Sequence, residues 1–509
     1  MDRSDRAAKA VFWGVVLLGI LDRFHLLAIT IGYASDDLTV VWTAARDYAQ
    51  GVFHEPFFYG QDYGVMLEAL LAAPFVRLGA DPIVAVPVVM AVLAMLPFWS
   101  FALFEYRRAN LVAAIFIAAI PVLLPVEHGL QFTNLNGLAI LALYPWVAGM
   151  HPSAKRSALI GAVLAVAAFV NMNALVGVAA FGTFFLLRSA KDHRQWFWAG
   201  CGALPVLLFS WWSMHFYSAR PEQVAHTVFD WRMVFHASLI PEALSRLNAH
   251  FAWLCPLWWP NGHLVLWLLA GLMVVLFRRG NNTAAWAIVA ALLTILISFG
   301  FAKIHDGTMS ILFPLSRMFL AVPLLLGWAI AQLGPFGRLR SAFMLTIALA
   351  SVVTFTLRNE RASMVWAEAL SDPKGAPIYM EKVSTLRERC RMLERYARET
   401  SADVIVVVRA SNAGQAYFLY MGCPVCEPGL PLTYMPGGDR RAWRVEEESL
   451  LHRERILVVD GEPEFWAKAS DGGLNVTAVG TGDPMLHLVV GAGLPVDSLM
   501  AKLARLGGH

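Results

Sequence analysis

The chain has 509 residues, of which 58% are hydrophobic and only 15% charged, and its mean hydropathy is +0.56. Soluble globular proteins carry about 25% charged residues, so a single large water-soluble enzyme is excluded, as is a disordered polyelectrolyte. The formal net charge of +3, with its basic residues in short pairs, offers no face for nucleic acid.

The charge is unevenly placed. Residues 358–509 hold 38 charged side chains, 25% of that segment, whereas residues 1–357 hold 39, or 11%. The pattern predicts a polytopic α-helical membrane domain over 1–357, followed by a water-exposed domain over 358–509 long enough to bury its own core.

Arg3, Arg6 and Lys9 precede an apolar run at 11–21 in the manner of a signal peptide. No small-residue cleavage site follows, and further apolar runs come after it, so it reads as a retained first helix. A crossing helix needs about 20 mostly apolar residues. Candidate spans are 11–31, 82–105, 110–126, 137–150, 158–172, 174–187, 196–216, 263–278, 283–302, 314–335 and 341–357. Arg107 with Arg108, Lys155 with Arg156, Arg188 with Lys191 and Arg194, Arg278 with Arg279, and Arg338 with Arg340 fall in tight connections. The positive-inside rule puts those connections in the cytoplasm. For 155–156 and 188–194 both to lie inside, 158–187 must cross twice, turning near Asn171. The sequence thus predicts eleven spans in an inner (plasma) membrane, with the N-terminus cytoplasmic and the tail extracytoplasmic.

The segments assigned outside, 32–81, 126–136, 217–262 and 303–313, are long or polar. Stretches 38–50 and 63–78 flank a turn rich in Pro, Gly and Tyr, and 231–251 mixes Trp and Phe with Arg and His. All read as interfacial helices that can also wall a site. In the tail, a helical run at 382–398 precedes strand-like runs at 404–408, 417–420, 456–459, 476–479 and 488–490, which predicts a small α/β domain.

The strongest chemical signal is in the first outer segment: Ser35-Asp36-Asp37, then Phe57-Phe58-Tyr59-Gly60-Gln61-Asp62-Tyr63-Gly64, then Glu68. Adjacent carboxylates just after a first membrane helix are costly to hold near hydrocarbon. They also push each other's proton affinities apart, so that one serves as a base while the other holds a hydroxyl or a metal. The simpler role for one of them is a helix N-cap after Ser35. A second polar segment holds Glu127, His128, Gln131, Asn134 and Asn136, either an acceptor wall or a polar turn. A third holds Lys303, His305, Asp306 and Arg317, cations where the inside rule disfavours them. Asp22-Arg23 reads as a structural pair, and His226, His236 and His250 are too irregularly spaced for a metal site. A lone Cys423-x-x-Cys426 is weak for zinc. In an oxidising compartment a disulfide within it, or from one member to Cys390, is the better expectation. Asn475-Val-Thr477 fits a glycosylation sequon only formally.

A first span, an acid pair, an amphipathic helix with Ala44-Ala45-Arg46, a Tyr-Gly-x-x-Tyr-Gly turn and a second helix, Leu67-Glu68-Ala69-Leu70-Leu71-Ala72-Ala73-Pro74, follow in order. This arrangement resembles the GT-C superfamily of polyprenyl-phosphate-dependent glycosyltransferases, including protein O-mannosyltransferases and lipid A aminoarabinose transferases. The likeness is most specific over 20–110, extends in hydropathy to about 357, and covers the tail by position only. It implies a polyprenyl-phosphate sugar as donor and a hydroxyl on a lipid, glycan or protein as acceptor. It implies Asp36 as the catalytic acid, assisted by Asp37 where members often have Glu. Tyr59, Gln61, Tyr63 and Glu68 would line the sugar site. Lys303 and Arg317 would meet the departing phosphate, where charge-assisted contacts are strongest. Members differ in whether a divalent metal takes part, and no complete ligand set stands in this sequence. The readings that compete are a polymerase or ligase for lipid-linked polysaccharide and a lipid or solute transporter, the latter disfavoured by the missing repeat. A non-catalytic anchoring protein is the least favoured.

Overall fold

The computed structural model describes residues 3–59, 61, 63–130, 135–218, 234–256, 259, 261–308, 310–334, 340–371, 380–407, 420, 422–434, 455–459, 466, 475–480 and 486–490. Gly60, Asp62, Gln131, Asn134, His226, Arg338 and most of the strand expected at 417–420 lie outside the described residues.

The chain opens with α1 (Arg3–Thr30), a short strand β1 (Tyr33–Ser35), α2 (Asp36–Ala49) and α3 (Leu67–Arg77). Then come α4 (Pro82–Arg107), α5 (Leu111–Leu123), α6 (Val126–Gly129), α7 (Asn136–Leu141) and α8 (Tyr144–Ala148). After these run α9 (Ala154–Val170), α10 (Leu175–Arg188), α11 (His193–Ser218), α12 (Leu239–Ser245) and α13 (Leu247–Phe251). α14 (Gly262–Arg278), α15 (Asn282–Ser298), α16 (Ala302–His305), α17 (Ala321–Gln332) and α18 (Arg340–Ser371) complete the helical half. The tail holds β2 (Met380–Lys382), α19 (Val383–Glu399), β3 (Val404–Val407), α20 (Cys423–Cys426), β4 (Leu432–Tyr434), β5 (Arg455–Val459), β6 (Asn475–Gly480) and β7 (Leu486–Val490).

Five of the described helices are long and apolar enough to cross a membrane, and five apolar segments are shorter. In α11 only 6% of the apolar window is buried within the protein, so Leu204, Leu207, Phe209 and Trp211 face outward. Such a helix is stable only in an apolar solvent, which makes this a membrane-embedded protein. Its other face packs on α9 through small residues. A Cβ on Gly161 would strike the Ala199 carbonyl, and one on Gly202 the Ala158 carbonyl, so both positions need glycine for the helices to meet.

A helix lies at each expected span, with local differences. The expected double crossing at 158–187 is two helices, with Asn171 Oδ1 accepting from Asn173 N at 2.9 Å in the turn. The span expected at 137–150 is broken into α7 and α8, because the Pro145 ring cannot follow a continuous helix. The one at 314–335 starts as a 3-10 turn, Leu315–Phe319, after Pro314. The last helix does not stop at 357 but runs to Ser371, so the boundary expected at 357/358 falls inside α18. Arg358 does not end it because Asp22 pairs with that guanidinium inside the bundle.

The described residues of the tail hold two helices and a small sheet region. Its sheet has the order β4-β3-β5-β7-β6, with β3 parallel to β4 and β5, and β7 antiparallel to β5 and β6. α19 lays Val383, Leu386, Cys390, Leu393 and Ala397, one helical stripe, on that sheet. Cys390 bonds Cys423, one of the expected pairings, and Cys426 stays free. β1 pairs with β2, and the tail's core is continuous with Val40, Val41, Trp42 and Ala44 of α2.

Candidate functional site

The acid pair sits where β1 turns into α2. Ser35 is the N-cap, its Oγ accepting from Leu38 N at 3.0 Å. Asp36, 2% exposed, accepts from Asp37 N through Oδ1 at 2.8 Å, and its carbonyl accepts from Thr39 Oγ1 at 2.8 Å. Asp36 therefore doubles as a structural acid of the first helical turn. Asp37 is half-buried.

Of the groups that act on the charge of Arg317, Asp306 counts most, then Tyr63 and, least, Asp37. Arg317 is itself buried. Its Nη2 donates to the Asp306 carbonyl at 2.5 Å, its Nη1 donates to the Pro314 carbonyl at 2.9 Å, and its guanidinium lies 3.7 Å from the centre of the Phe313 ring. Gly307 makes room for it, since a Cβ there would stand 2.6 Å from Arg317 Nη1. Lys303 Nζ lies over the Tyr63 ring at 3.4 Å. Three distant stretches of chain thus bring Asp37, Tyr63, Lys303, Asp306 and Arg317 to one place. Arg317 reaches Asp306 through that residue's main-chain carbonyl.

Other expected site residues lie in separate clusters. The turn that carries Tyr63 is held by Phe58 N donating to the Gly64 carbonyl at 2.7 Å and by Val65 N donating to the Val170 carbonyl at 3.0 Å. On its near side, Tyr59 is fully buried and donates to Asp47 Oδ2 at 3.2 Å; burial and the Asp47 charge push its hydroxyl well above the usual tyrosine range. Gln61 N donates to the Phe58 carbonyl at 2.8 Å. Glu68, 3% exposed, accepts from Asn136 Nδ2, and burial raises its carboxyl to about 7 even though hydrogen bonds oppose the shift. Asp47, Tyr48, Glu55, Tyr59 and Glu68 thereby form an acid–tyrosine cluster, tied together by the mutual action of their charges. Sequence reasoning missed Asp47 and Glu55, although Asp47 falls on the same helix as the acid pair.

Glu127 and His128 do not wall the acid pair. Glu127 is paired with Arg361 at 2.8 Å. His128 is buried beside Arg23 and Arg358, and burial first, then those two charges, push its imidazole down to about 3, so it is neutral there. Asp22 is matched by Arg358 at 3.1 Å, a partner from α18 that the sequence reading did not supply, while Arg23 Nη1 donates to the Gly129 carbonyl at 2.6 Å. His305 also turns away: Nε2 lies 2.9 Å from the Phe299 carbonyl, and Nδ1 lies 3.9 Å from Glu242. Among the described residues no group of three His, Cys, Asp or Glu side chains is arranged to hold a metal ion.

Comparison with family models, with curated proteins and with solved structures yields no match to this chain.

Proposed function

We propose that this protein is an integral-membrane glycosyltransferase of GT-C type, moving a sugar from a polyprenyl phosphate to a hydroxyl acceptor on the extracytoplasmic side of the plasma membrane. The reading takes eleven spans, a cytoplasmic N-terminus and an extracytoplasmic tail. The observation that supports it is Lys303 Nζ stacked over the Tyr63 ring beside the buried Arg317, on which Asp306, Tyr63 and Asp37 act. The order of the two acids changes from the sequence expectation. Asp37 takes the proton of the acceptor hydroxyl as that oxygen bonds the anomeric carbon, and Asp36 holds the start of α2 in place. The bond from that carbon to the phosphate oxygen breaks in the same step. The leaving polyprenyl phosphate carries off the electron pair, and Arg317 with Lys303 offsets its charge.

Removing a general base typically costs about 10²–10⁴-fold in rate. Purified Asp37→Asn protein is therefore expected to lose transfer from radiolabelled polyprenyl-phosphate sugar by that factor while keeping its thermal midpoint. Normal turnover in this variant would sink the reading. Uptake of the label into vesicles without its consumption would point to a transporter.

A further inference from the structure

The end of the helices remote from the acids carries a second site. α4 starts beside the tail, where Asp81 pairs with Arg387 at 2.6 Å, and its 26 residues reach about 39 Å further at 1.5 Å per residue. Around its far end lies a cavity of about 580 Å³, walled on one side by Phe101, Phe104, Tyr144, Phe184 and Trp328. Arg108, Arg156 and Arg188 also line it.

The charges there do not balance. Arg108 is matched by Glu105 at 3.3 Å, and that carboxylate is further held by Asn110 Nδ2 at 2.8 Å. Arg156 is 7% exposed, its Nε makes no hydrogen bond, and its guanidinium has no ion pair among the described residues. The charge nearest in effect is the like charge of Arg188; Tyr144, the other group that acts on it, uses its hydroxyl to donate to the Phe181 carbonyl at 3.1 Å. Arg156 also stands in the first turn of α9, just after the N-cap Ser153, where the positive end of the helix dipole adds to its own charge. A cation withdrawn from water without a counter-charge is strongly unfavourable. Two guanidinium groups that form no ion pair among the described residues match an anion, and their planar forks suit phosphate oxygens in particular. The aromatic wall suits what an amphiphile carries next to its phosphate.

We propose that this cavity binds a phosphate group, and that its source is an anionic phospholipid whose headgroup lies between Arg156 and Arg188. The inference needs only that the helices are in a bilayer and does not rest on the glycosyltransferase reading. The test uses the full chain in nanodiscs of phosphatidylcholine, with and without phosphatidylglycerol, and reads the thermal midpoint together with the lipid retained in native mass spectrometry. Phosphatidylglycerol is expected to raise the midpoint by several degrees and to be retained. Both effects should disappear in Arg156→Gln and Arg188→Gln but persist in Arg194→Gln, an exposed arginine outside the cavity. If inorganic phosphate alone reproduces the full arginine-dependent gain in phosphatidylcholine discs, the phosphate site stands with the free anion as its source. An equal response in wild type, Arg156→Gln and Arg188→Gln overturns the proposal. Should Arg156→Gln fail to fold, Arg188→Gln carries the test, because its side chain is exposed.

Discussion

Buried acids in this protein divide by what compensates them. Asp36 accepts from the main-chain N–H of Asp37, Asp22 is charge-paired with Arg358, and Glu127 with Arg361. Glu68 has no ion pair among the described residues, only the Asn136 amide and a main-chain hydrogen bond, and burial raises its carboxyl to about 7. The raised value means that the fold binds the Glu68 proton more tightly than the unfolded chain does. Stability is therefore greatest below the unfolded value and falls as pH rises from about 4.5 to about 7. A shift of that size corresponds to about 3 kcal/mol at neutral pH. Glu68→Gln keeps an acceptor for Asn136 and removes the charge. It is expected to raise the thermal midpoint at pH 8 and leave it unchanged at pH 4, and equal effects at both values would refute the assignment. The acid pair and Arg317 were legible as candidates from residue type and position. Their order was not, because Asp36 and Asp37 look alike in sequence and differ only in which one the first turn of α2 consumes.

At the scale of elements, hydropathy located the helices but not all their ends. α18 outlasts its apolar stretch because Arg358 and Arg361 find carboxylates on other helices, a pairing that no local pattern announces. α19 was legible from its stripe of apolar positions, but β1, β2 and β4 were not, since each is three residues long and shows no alternation. The tie between α19 and α20 is the Cys390–Cys423 disulfide, across a separation of 33 residues. Closing a loop of that length constrains the unfolded chain by about 3–4 kcal/mol. Cys390→Ser is expected to lower the stability of the tail by about that amount, measured as denaturant-dependent protection from protease. Cys426→Ser, which removes a free thiol, is expected to leave it unchanged. The reverse order of effects would contradict the pairing.

For the whole molecule, the tail and α2 share one core. Arg46 Nη1 donates to the Pro424 carbonyl at 2.5 Å, Arg387 meets Asp81, and Gly422 lies so close to α2 that a Cβ would stand 2.7 Å from Thr39 Cγ2. The helix that carries Asp36 and Asp37 is thus held from behind by the tail. Gly422→Ala must push the two apart. Its expected effects are a lower unfolding midpoint of the tail and, if the proposed function holds, a fall in transfer of tenfold or more, with the helical half still monodisperse in detergent. Undiminished turnover would mean that tail docking does not position the acids. Composition gave no sign that the C-terminal residues pack on α2.

What the sequence determined by itself is the solvent each part lives in. Hydrophobic runs of membrane length, interrupted by charged connections, leave an apolar bundle and a polar tail as the outcome, because burial of apolar surface is proportional to area and reads directly from residue type. What tertiary structure decided is which charges meet. Asp22 with Arg358, Glu127 with Arg361, and Arg156 with no ion pair among the described residues are facts about side chains far apart in the chain. Electrostatic energy depends on distance and burial in three dimensions, and neither is written in the order of the residues.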